Sequence, residues 1–277
     1  MNTPDFLVIG AKRCGTSWLD KQLRKHPDIY LPQKRKEIQF FDLYYERGWD
    51  WYQSFFPVEQ EVNSSGCIGE VTPNYIYVPK VPELIYKHLP NCKLILMLRN
   101  PVDRLYSQYG FKIRNEAYTG TFQEYLQQSE VPFKRGFYGS QVERYLQYFD
   151  PEQLLVLVFE EVMKQPRTEL MKIFEFLSLD PSKFDFDDVG KKINHSYRVR
   201  FAKSLALANS FVKWLRQNDL DWIYNLGYSM GIRKELFGVK EELRKIEPDI
   251  RRELLLMYEN DIHLLERLAG RDFSVWQ

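Results

Sequence analysis

Four short runs of consecutive apolar residues most constrain what this chain can fold into. The runs cover residues 6–9, 67–71, 94–98 and 154–159, and the second is the weakest. Residues that are apolar at successive positions are typical of parallel strands that helices cover on both faces. Helical patterns lie at about 16–26, from 101 onward, and at about 140–149, 166–177 and 248–269. This alternation predicts an α/β fold with a central parallel sheet flanked by helices and ligands bound beyond the carboxyl ends of the strands.

The length and charge of the chain narrow the classes of partner. A chain of 277 residues is long enough for one large α/β domain, and we expect residues 1–277 to form it. Lys and Arg together number 39 and Asp and Glu 38, which gives a net charge of +1. A general basic field is therefore absent, so we expect no nucleic-acid partner and expect any anion to be held by local groups.

Cysteine usage and the amino-terminal residues indicate the compartment. Cys14, Cys67 and Cys92 are not spaced as a metal or redox pair and are odd in number, so we expect neither a disulfide framework nor a metal site. The apolar run at residues 6–9 is too short for a signal peptide or a membrane span. The cytoplasm is the predicted location.

The segment after the first apolar run has the spacing of a phosphate-binding loop. Gly10 and Gly15 match G-x-x-x-x-G-K-[ST], but Thr16 takes the place of the lysine, and the cations Lys12 and Arg13 come earlier. Backbone N–H groups at a helix N-terminus still bind anions. Without the lysine that reaches a γ-phosphate, the expected ligand is shorter than a triphosphate, with a cation near the breaking bond. The alternative is a tight strand-to-helix turn that binds nothing.

This loop resembles the donor loop of the sulfotransferases that use 3′-phosphoadenosine-5′-phosphosulfate (PAPS). The resemblance implies a P-loop-NTPase-like sulfotransferase fold and a loop that binds the donor's 5′-phosphosulfate. Arg13 then occupies the position of the cation that neutralises the leaving phosphate, with a share taken by Lys12. Trp18 either stacks on the adenine or packs in the core. The donor-binding residues implied are Lys12, Arg13, Cys14, Gly15, Thr16, Ser17 and Trp18.

A second segment, at residues 99–109, resembles the family's 3′-phosphate site, R-[DN]-P-x-[DE]-R-x-x-S-x-[YF]. Arg99 comes directly after the apolar run at 94–98, and Asn100 and Pro101 provide an N-cap and a first helical residue. Ser107 follows about two turns along that helix. The resemblance implies that Arg99 and Ser107 bind the 3′-phosphate, whereas the neighbouring residues 103 and 104 are expected to be structural, as an ion pair across the helix turn.

A candidate general base lies in the segment K-R-K-E-I-Q-F-F-D at residues 34–42. A hydroxyl or amine acceptor is a weak nucleophile that needs a base, and a carboxylate among apolar side chains has a raised proton affinity. The segment resembles K-E-[IV]-[HQ]-F-F-[DN] of the carbohydrate-type branch, which includes the heparan sulfate enzymes, and the resemblance implies that Glu37 is the base. The alternative is an ion pair of Glu37 with Lys34 or Lys36. Glu70 is the reserve candidate.

Three further segments complete the resemblance, which extends over nearly the whole chain. Tyr138 lies in a G-x-Y motif and is implied to approach the adenine, and Arg198 lies in a basic loop implied to close over the nucleotide. Residues 268–276 resemble the closing L-x-G-R-x-[LF]-x-x-W of bacterial members and heparan enzymes. Residues 201–238 carry no family pattern and are expected to be a lid or an acceptor-side insert.

The function predicted is transfer of a sulfuryl group from PAPS to a hydroxyl or amine of a carbohydrate or small-molecule acceptor. The transfer is an in-line displacement, with Glu37 as base, Arg13 and Lys12 as cations, no metal, and adenosine 3′,5′-bisphosphate (PAP) as product. The alternatives are a P-loop-type small-molecule kinase, which would need Mg²⁺, and a nucleotide-binding module without catalysis. The identity of the acceptor and the oligomeric state stay open.

Overall fold

The computed structural model describes residues 3–58, 61–62, 66–116, 118–187, 189–190, 197–198, 210–212, 214–221, 223, 239–240 and 246–276. Within these residues the main sheet has five parallel strands in the order β2-β3-β1-β4-β5. The strands are β1 (Phe6–Gly10), β2 (Ile29–Tyr30), β3 (Cys67–Val71), β4 (Lys93–Leu98) and β5 (Leu154–Val158). All four apolar runs are therefore strands, and of the strands of this main sheet only the two-residue edge strand β2 was not predicted. A separate antiparallel pair joins β6 (Tyr197–Arg198) to β7 (Val239–Lys240).

Helices connect the strands of the main sheet. The α-helices are α1 (Thr16–Leu23), α2 (Trp49–Gln53), α3 (Val81–His88), α4 (Pro101–Glu116), α5 (Phe122–Gln128), α6 (Val131–Lys134), α7 (Tyr138–Tyr145), α8 (Phe159–Lys164), α9 (Pro166–Phe176) and α10 (Pro248–Ala269). Between β2 and α2 lie a π-helix (Phe40–Tyr44) and a 3₁₀ turn (Tyr45–Arg47). The predicted bounds of α10 are confirmed, whereas α7 ends four residues earlier than expected and Phe159 begins α8 instead of ending β5.

The sheet is buried on both faces, which explains the consecutive apolar residues of its strands. In β1, Leu7 and Ile9 belong to the core cluster beneath α7 and α10, whereas Phe6 and Val8 belong to the cluster beneath α1 and α9. Successive side chains of a strand point to opposite faces, so both sets must be apolar when helices cover both faces.

The carboxyl-terminal residues fold back under the ends of β4 and β5. Trp276 is almost fully buried, its indole N–H donates to Glu160 at 3.0 Å, and its carbonyl accepts from the Asn100 amide at 2.7 Å. Arg271 donates to Glu161 at 2.7 Å and to the carbonyl of Val156 at 3.1 Å. The motif at residues 268–276 therefore supports the edge of the sheet at which ligands of parallel α/β folds bind.

No helix in the described part of the chain has the length and apolar character that a membrane crossing requires.

Candidate active site

The loop between β1 and α1 is shaped by a glycine that no other residue can replace without strain. Gly15 has a φ of 92°, and an added Cβ would lie 2.7 Å from the Phe159 ring and 3.0 Å from the Met97 methyl group. Arg13 also adopts a left-handed conformation, with a φ of 73°. The resulting turn closes around the N-terminus of α1, where backbone N–H groups and the helix dipole together favour an anion.

The two predicted anion sites meet. The Arg13 Nε donates to the Ser107 hydroxyl at 3.4 Å, although the two residues are 94 positions apart in the chain. The guanidinium of Arg13 also lies 4.8 Å from the centroid of the Phe111 ring, which α4 supplies. The loop after β1 and the first three turns of α4 therefore form one continuous surface.

Three arginines crowd this surface. Burial and the repulsion of Arg114 and Arg99 lower the pKa of Arg13 to about 10. The Nε of Arg99 is buried without a hydrogen-bond partner, and its guanidinium lies 4.9 Å from the centroid of the Phe159 ring. Within the described residues, no carboxylate forms a salt bridge with any of these three arginines. Mutually repelling cations without acidic partners have the charge and geometry to bind a multiply charged anion, which is the ligand that the sequence predicts here.

The start of α4 fixes Arg99 at the end of its strand. The Asn100 side chain accepts from the backbone N–H groups of Val102 at 3.0 Å and Asp103 at 3.2 Å, so the predicted N-cap is confirmed. The ion pair predicted between residues 103 and 104 is wrong. Asp103 pairs with Arg251 of α10 at 2.5 Å, because that helix crosses here, and the buried Arg104 donates to the carbonyl of Pro132.

Lys12 lies on the side of the loop away from the arginines, near the carboxylates of Glu37 and Asp42. Burial and the repulsion of Arg135 lower its pKa, whereas attraction by Glu37 and Asp42 raises it. Glu37 itself is half-buried, and Lys36 donates to the Ser17 hydroxyl at 2.9 Å. The structure thus separates the two cations of the loop. Arg13 faces the arginine cluster, and Lys12 faces the candidate base.

A hydrogen-bonded chain supports this second side. The Asn74 amide donates to Asp42 at 2.5 Å and accepts from Arg135 at 2.9 Å. Burial raises the pKa of the Asp42 carboxyl, and one of its oxygens is buried without a partner in the described structure. The sequence analysis did not predict these hydrogen bonds. Asp42 lies within the segment at 34–42 that it singled out, but no local pattern indicates the contacts of Asn74 with Asp42 and Arg135.

Glu70 lies beneath the same side and is fully enclosed. Its carboxylate accepts from the hydroxyls of Thr72 at 2.5 Å, Tyr52 at 2.6 Å and Tyr75 at 2.9 Å. Burial raises its pKa to about 7, against the lowering effect of those hydrogen bonds. Glu70 is 0% exposed, so its carboxylate presents no free face to an acceptor in this conformation.

Comparison with known proteins identifies the family. The sequence model of the sulfotransferase domain family matches residues 3–260 of this chain. The chain belongs to the sulfotransferase family. This membership supports sulfuryl transfer and not the phosphoryl transfer of the alternative kinase prediction.

Individual sulfotransferases show the same relationship. The chain is 43% identical over 111 residues to the membrane-associated sulfotransferase kil1 of Dictyostelium discoideum, a match that covers 40% of this chain and 23% of that protein. It is 34% identical over 197 residues to human bifunctional heparan sulfate N-deacetylase/N-sulfotransferase 3, which covers 64% of this chain and 22% of that protein. The matches thus span less than a quarter of the length of these relatives.

A solved structure matches over the full length. The crystal structure of a sulfotransferase from Alicyclobacillus acidocaldarius superimposes with a TM-score of 0.71 and 27% identity, covering 100% of this chain and 99% of that one. The predicted P-loop-NTPase-like sulfotransferase fold is thereby confirmed.

Several predicted donor residues of this sulfotransferase lie under the loop. Trp18 is buried among core residues, and its indole N–H donates to the carbonyl of Val189 at 3.3 Å. Tyr138 is fully buried and donates to the carbonyl of Arg99 at 3.0 Å. Its hydroxyl also lies 3.6 Å from the Cys14 sulfur, and burial raises the pKa of that thiol to about 11, so it is neutral near pH 7. Trp18 and Tyr138 support the loop between β1 and α1 from below, and the contact of Trp18, Tyr138 and Cys14 with a nucleotide stays a prediction.

The segment predicted to close over the nucleotide lies mostly outside the described residues. Arg198 pairs through its backbone with Val239 in the β6–β7 ribbon, but its side chain lies outside the described structure. Of the predicted lid or insert at 201–238, the described residues are 210–212, 214–221 and 223.

Proposed function

We propose that this chain transfers a sulfuryl group from PAPS to a hydroxyl or amine of a carbohydrate or small-molecule acceptor. The observation that carries the proposal is the convergence of Arg13, Arg99 and Arg114 without a carboxylate partner among the described residues. PAPS is a compact polyanion with charge at both ends of its adenosine, and its binding would relieve the repulsion among these cations. Residues 1–277 would form one sulfotransferase domain in a reducing, cytoplasmic setting.

The two anion sites divide the donor between them. The backbone N–H groups at the start of α1 would hold the 5′-phosphosulfate, with Thr16 and Ser17 beside them. Arg99 and Ser107 would hold the 3′-phosphate, since charge-assisted hydrogen bonds from arginine suit a phosphate group. Arg13, which donates to Ser107 at 3.4 Å, would lie between the two phosphates.

The reaction would be an in-line displacement at sulfur. The acceptor oxygen or nitrogen forms a bond to sulfur while the bond from sulfur to the 5′-phosphate oxygen breaks. Glu37 takes the acceptor's proton, and PAP leaves with the electron pair of the broken bond. Lys12, which lies near Glu37, would neutralise charge on the moving sulfuryl group, while Arg13 neutralises the leaving phosphate. The proposal assigns charge neutralisation to these cations and calls for no metal ion.

Carbohydrates are the first acceptors to examine. A human relative that is 34% identical is named for N-sulfation of heparan sulfate, and a second human relative, 29% identical, is heparan sulfate glucosamine 3-O-sulfotransferase 6. Residues 31–58, which contain Glu37, would form the acceptor side of the site. This stretch carries partly exposed aromatic residues, among them Tyr44, Trp49 and Trp51. Flat aromatic side chains pack well against rings, so this surface suits a sugar or aromatic acceptor.

The direct test is replacement of Glu37 by Gln, assayed with radiolabelled PAPS and a panel of acceptors. The panel would contain de-N-sulfated heparan sulfate, a glucosamine glycoside and nitrophenol. Removal of the base should lower the transfer rate by about 10²-fold or more and leave PAP affinity within a factor of about two. Glu175→Gln, on the exposed face of α9, is the matched control and should transfer at the rate of the unaltered protein.

Other outcomes would decide against parts of the proposal. Normal transfer by Glu37→Gln would reject Glu37 as the base. PAP binding without turnover on any acceptor would favour a nucleotide-binding module without catalysis. Tight ATP binding with no binding of PAP would overturn the donor assignment itself.

A further inference from the structure

The residues on either side of Glu37 are anchored to different parts of the molecule. Lys36 donates to Ser17 of the donor loop at 2.9 Å. Arg35 points the other way and donates to both oxygens of Asp221, from Nε at 3.1 Å and from Nη2 at 2.5 Å. Glu37 is therefore held between the donor loop and a segment 186 positions away from Arg35 in the chain.

Burial distinguishes this ion pair from the others in the described structure. The side chain of Arg35 is 1% exposed and that of Asp221 is 9% exposed. The guanidinium of Arg35 lies 5.4 Å from the ring centroids of Tyr44 and Phe55 and 5.5 Å from that of Trp51. A buried guanidinium that loses its carboxylate is left uncompensated, which is strongly unfavourable. Removal of one partner should therefore displace the other.

The partner segment, residues 214–221, is itself folded against this side. Leu215 is buried, and the N–H of Leu220 donates to its carbonyl at 2.9 Å. Nη2 of Arg35 also donates to the carbonyl of Arg216 at 2.8 Å and lies 3.4 Å from Asp219. The segment thus contacts the Arg35 guanidinium at three residues.

From this geometry we infer that Arg35 and Asp221 are positioning residues that set the place of Glu37 relative to the donor loop. Residues 214–221 would then form part of the acceptor side, within a stretch where the sequence carries no family pattern. The inference rests on the proposed function, because it assigns the pair an effect on the base of that reaction. A base displaced by about 1 Å loses much of its effect, since proton transfer depends on near-contact geometry.

The test compares Asp221→Asn with Asp249→Asn, an exposed aspartate on α10 that forms a 3.7 Å surface pair with Arg252. Both variants would be assayed with radiolabelled PAPS and the panel acceptor that the unaltered protein sulfates fastest. Asp221→Asn should lower kcat about tenfold and leave the Kd of PAP within about twofold. Asp249→Asn should change neither quantity.

A double variant separates positioning of the base from a general loss of structure. If Asp221 acts through Glu37, adding Asp221→Asn to Glu37→Gln should cost less than about twofold beyond the loss caused by Glu37→Gln alone. Asp221→Glu retains the charge of the buried pair and should lower kcat by about threefold, which keeps the test open if the Asn variant does not fold. Fully multiplicative losses, or an equal loss of PAP affinity, would overturn the inference.

Hydrogen exchange gives a readout that does not need turnover. In Asp221→Asn, the amides of residues 36–41 should exchange faster than in the unaltered protein, while those of β4 should be unchanged. Unchanged exchange at 36–41 would reject the inference. Absence of transfer by the unaltered protein would instead count against the proposed function, and the exchange result alone would then decide whether the pair positions this loop.

Discussion

The side of the molecule proposed to bind the donor and the side proposed to bind the acceptor are built in different ways. The donor side is formed by the ends of β1 and β4 and the first turns of α1 and α4, so the backbone hydrogen bonds of the sheet fix its place. The acceptor side is formed by residues 31–58, a stretch that contains no strand and only a π-helix, a 3₁₀ turn and the short helix α2. Its position depends on side-chain contacts such as those of Arg35 and Glu70. Substitutions on the donor side should therefore change ligand affinity, and those on the acceptor side should change the rate or the stability.

Among Arg99, Glu70 and Arg47, the largest effect should come from Arg99, on the donor side, when it is replaced by Gln. Loss of this cation should weaken PAP binding by about 100-fold, since a charge-assisted contact to phosphate contributes roughly 2–3 kcal/mol. The melting temperature should change little, because Arg99 forms no salt bridge with a described residue. Titration calorimetry with PAP gives the Kd, and adenosine 5′-phosphosulfate, which lacks the 3′-phosphate, provides the control ligand.

The pattern across these two ligands is what tests the assignment. The affinity for adenosine 5′-phosphosulfate should be nearly the same in Arg99→Gln and in the unaltered protein, because Arg99 is assigned to the 3′-phosphate, which this ligand lacks. An equal loss for both ligands would show that Arg99 acts on the whole donor site and not on one phosphate.

An intermediate effect is expected from Glu70, which lies in β3 beneath the acceptor side. Its pKa of about 7 in the folded protein lies above the reference value of 4.5, so the folded state holds the proton more tightly than the unfolded chain. The stability that this proton binding contributes is fully present below pH 4.5 and is lost as the pH rises through 7. Between pH 5 and pH 8 the free energy of unfolding should fall by about 2 kcal/mol on account of this residue.

The variant Glu70→Gln should remove that part of the pH dependence. Denaturant unfolding at several pH values gives the free energy of unfolding for both proteins, and the value for the unaltered protein minus that for Glu70→Gln should fall by about 2 kcal/mol from pH 5 to pH 8. A constant difference from pH 5 to pH 8 would show that the carboxyl does not titrate in this range.

The contrast between the two sides also explains how much the sequence could predict. Four of the five strands of the main sheet and the turns after β1 and β4 could be predicted because local patterns specify them, such as consecutive apolar residues, a glycine at a left-handed position and an Asn-Pro helix start. The acceptor side could not, because its contacts join distant residues. Neither the pairing of Arg35 with Asp221, 186 positions apart, nor the contact of Arg135 with Asn74, 61 apart, leaves a local signal. The π-helix at Phe40–Tyr44 is stabilised by its packing and has no periodicity of its own to reveal it.

The smallest effect should come from Arg47, which binds the same segment as Arg35 but at the surface. Arg47 donates to Asp219 at 2.5 Å, with side-chain exposures of 31% and 43%, whereas both members of the Arg35–Asp221 pair are buried. Exposed ion pairs contribute about 0.2–1 kcal/mol and are screened by salt. Arg47→Ala should therefore lower the free energy of unfolding by less than about 1 kcal/mol and leave kcat within about twofold.

Salt dependence gives this last prediction its control. The destabilisation by Arg47→Ala should shrink between low and high ionic strength, because water and ions reach that pair, while the effect of Asp221→Asn should hardly change. Thermal unfolding of both variants at two salt concentrations measures this. If Arg47→Ala were as damaging as Asp221→Asn and equally independent of salt, the segment at 214–221 would be held by its surface contacts, and the buried pair would have no special part in placing Glu37.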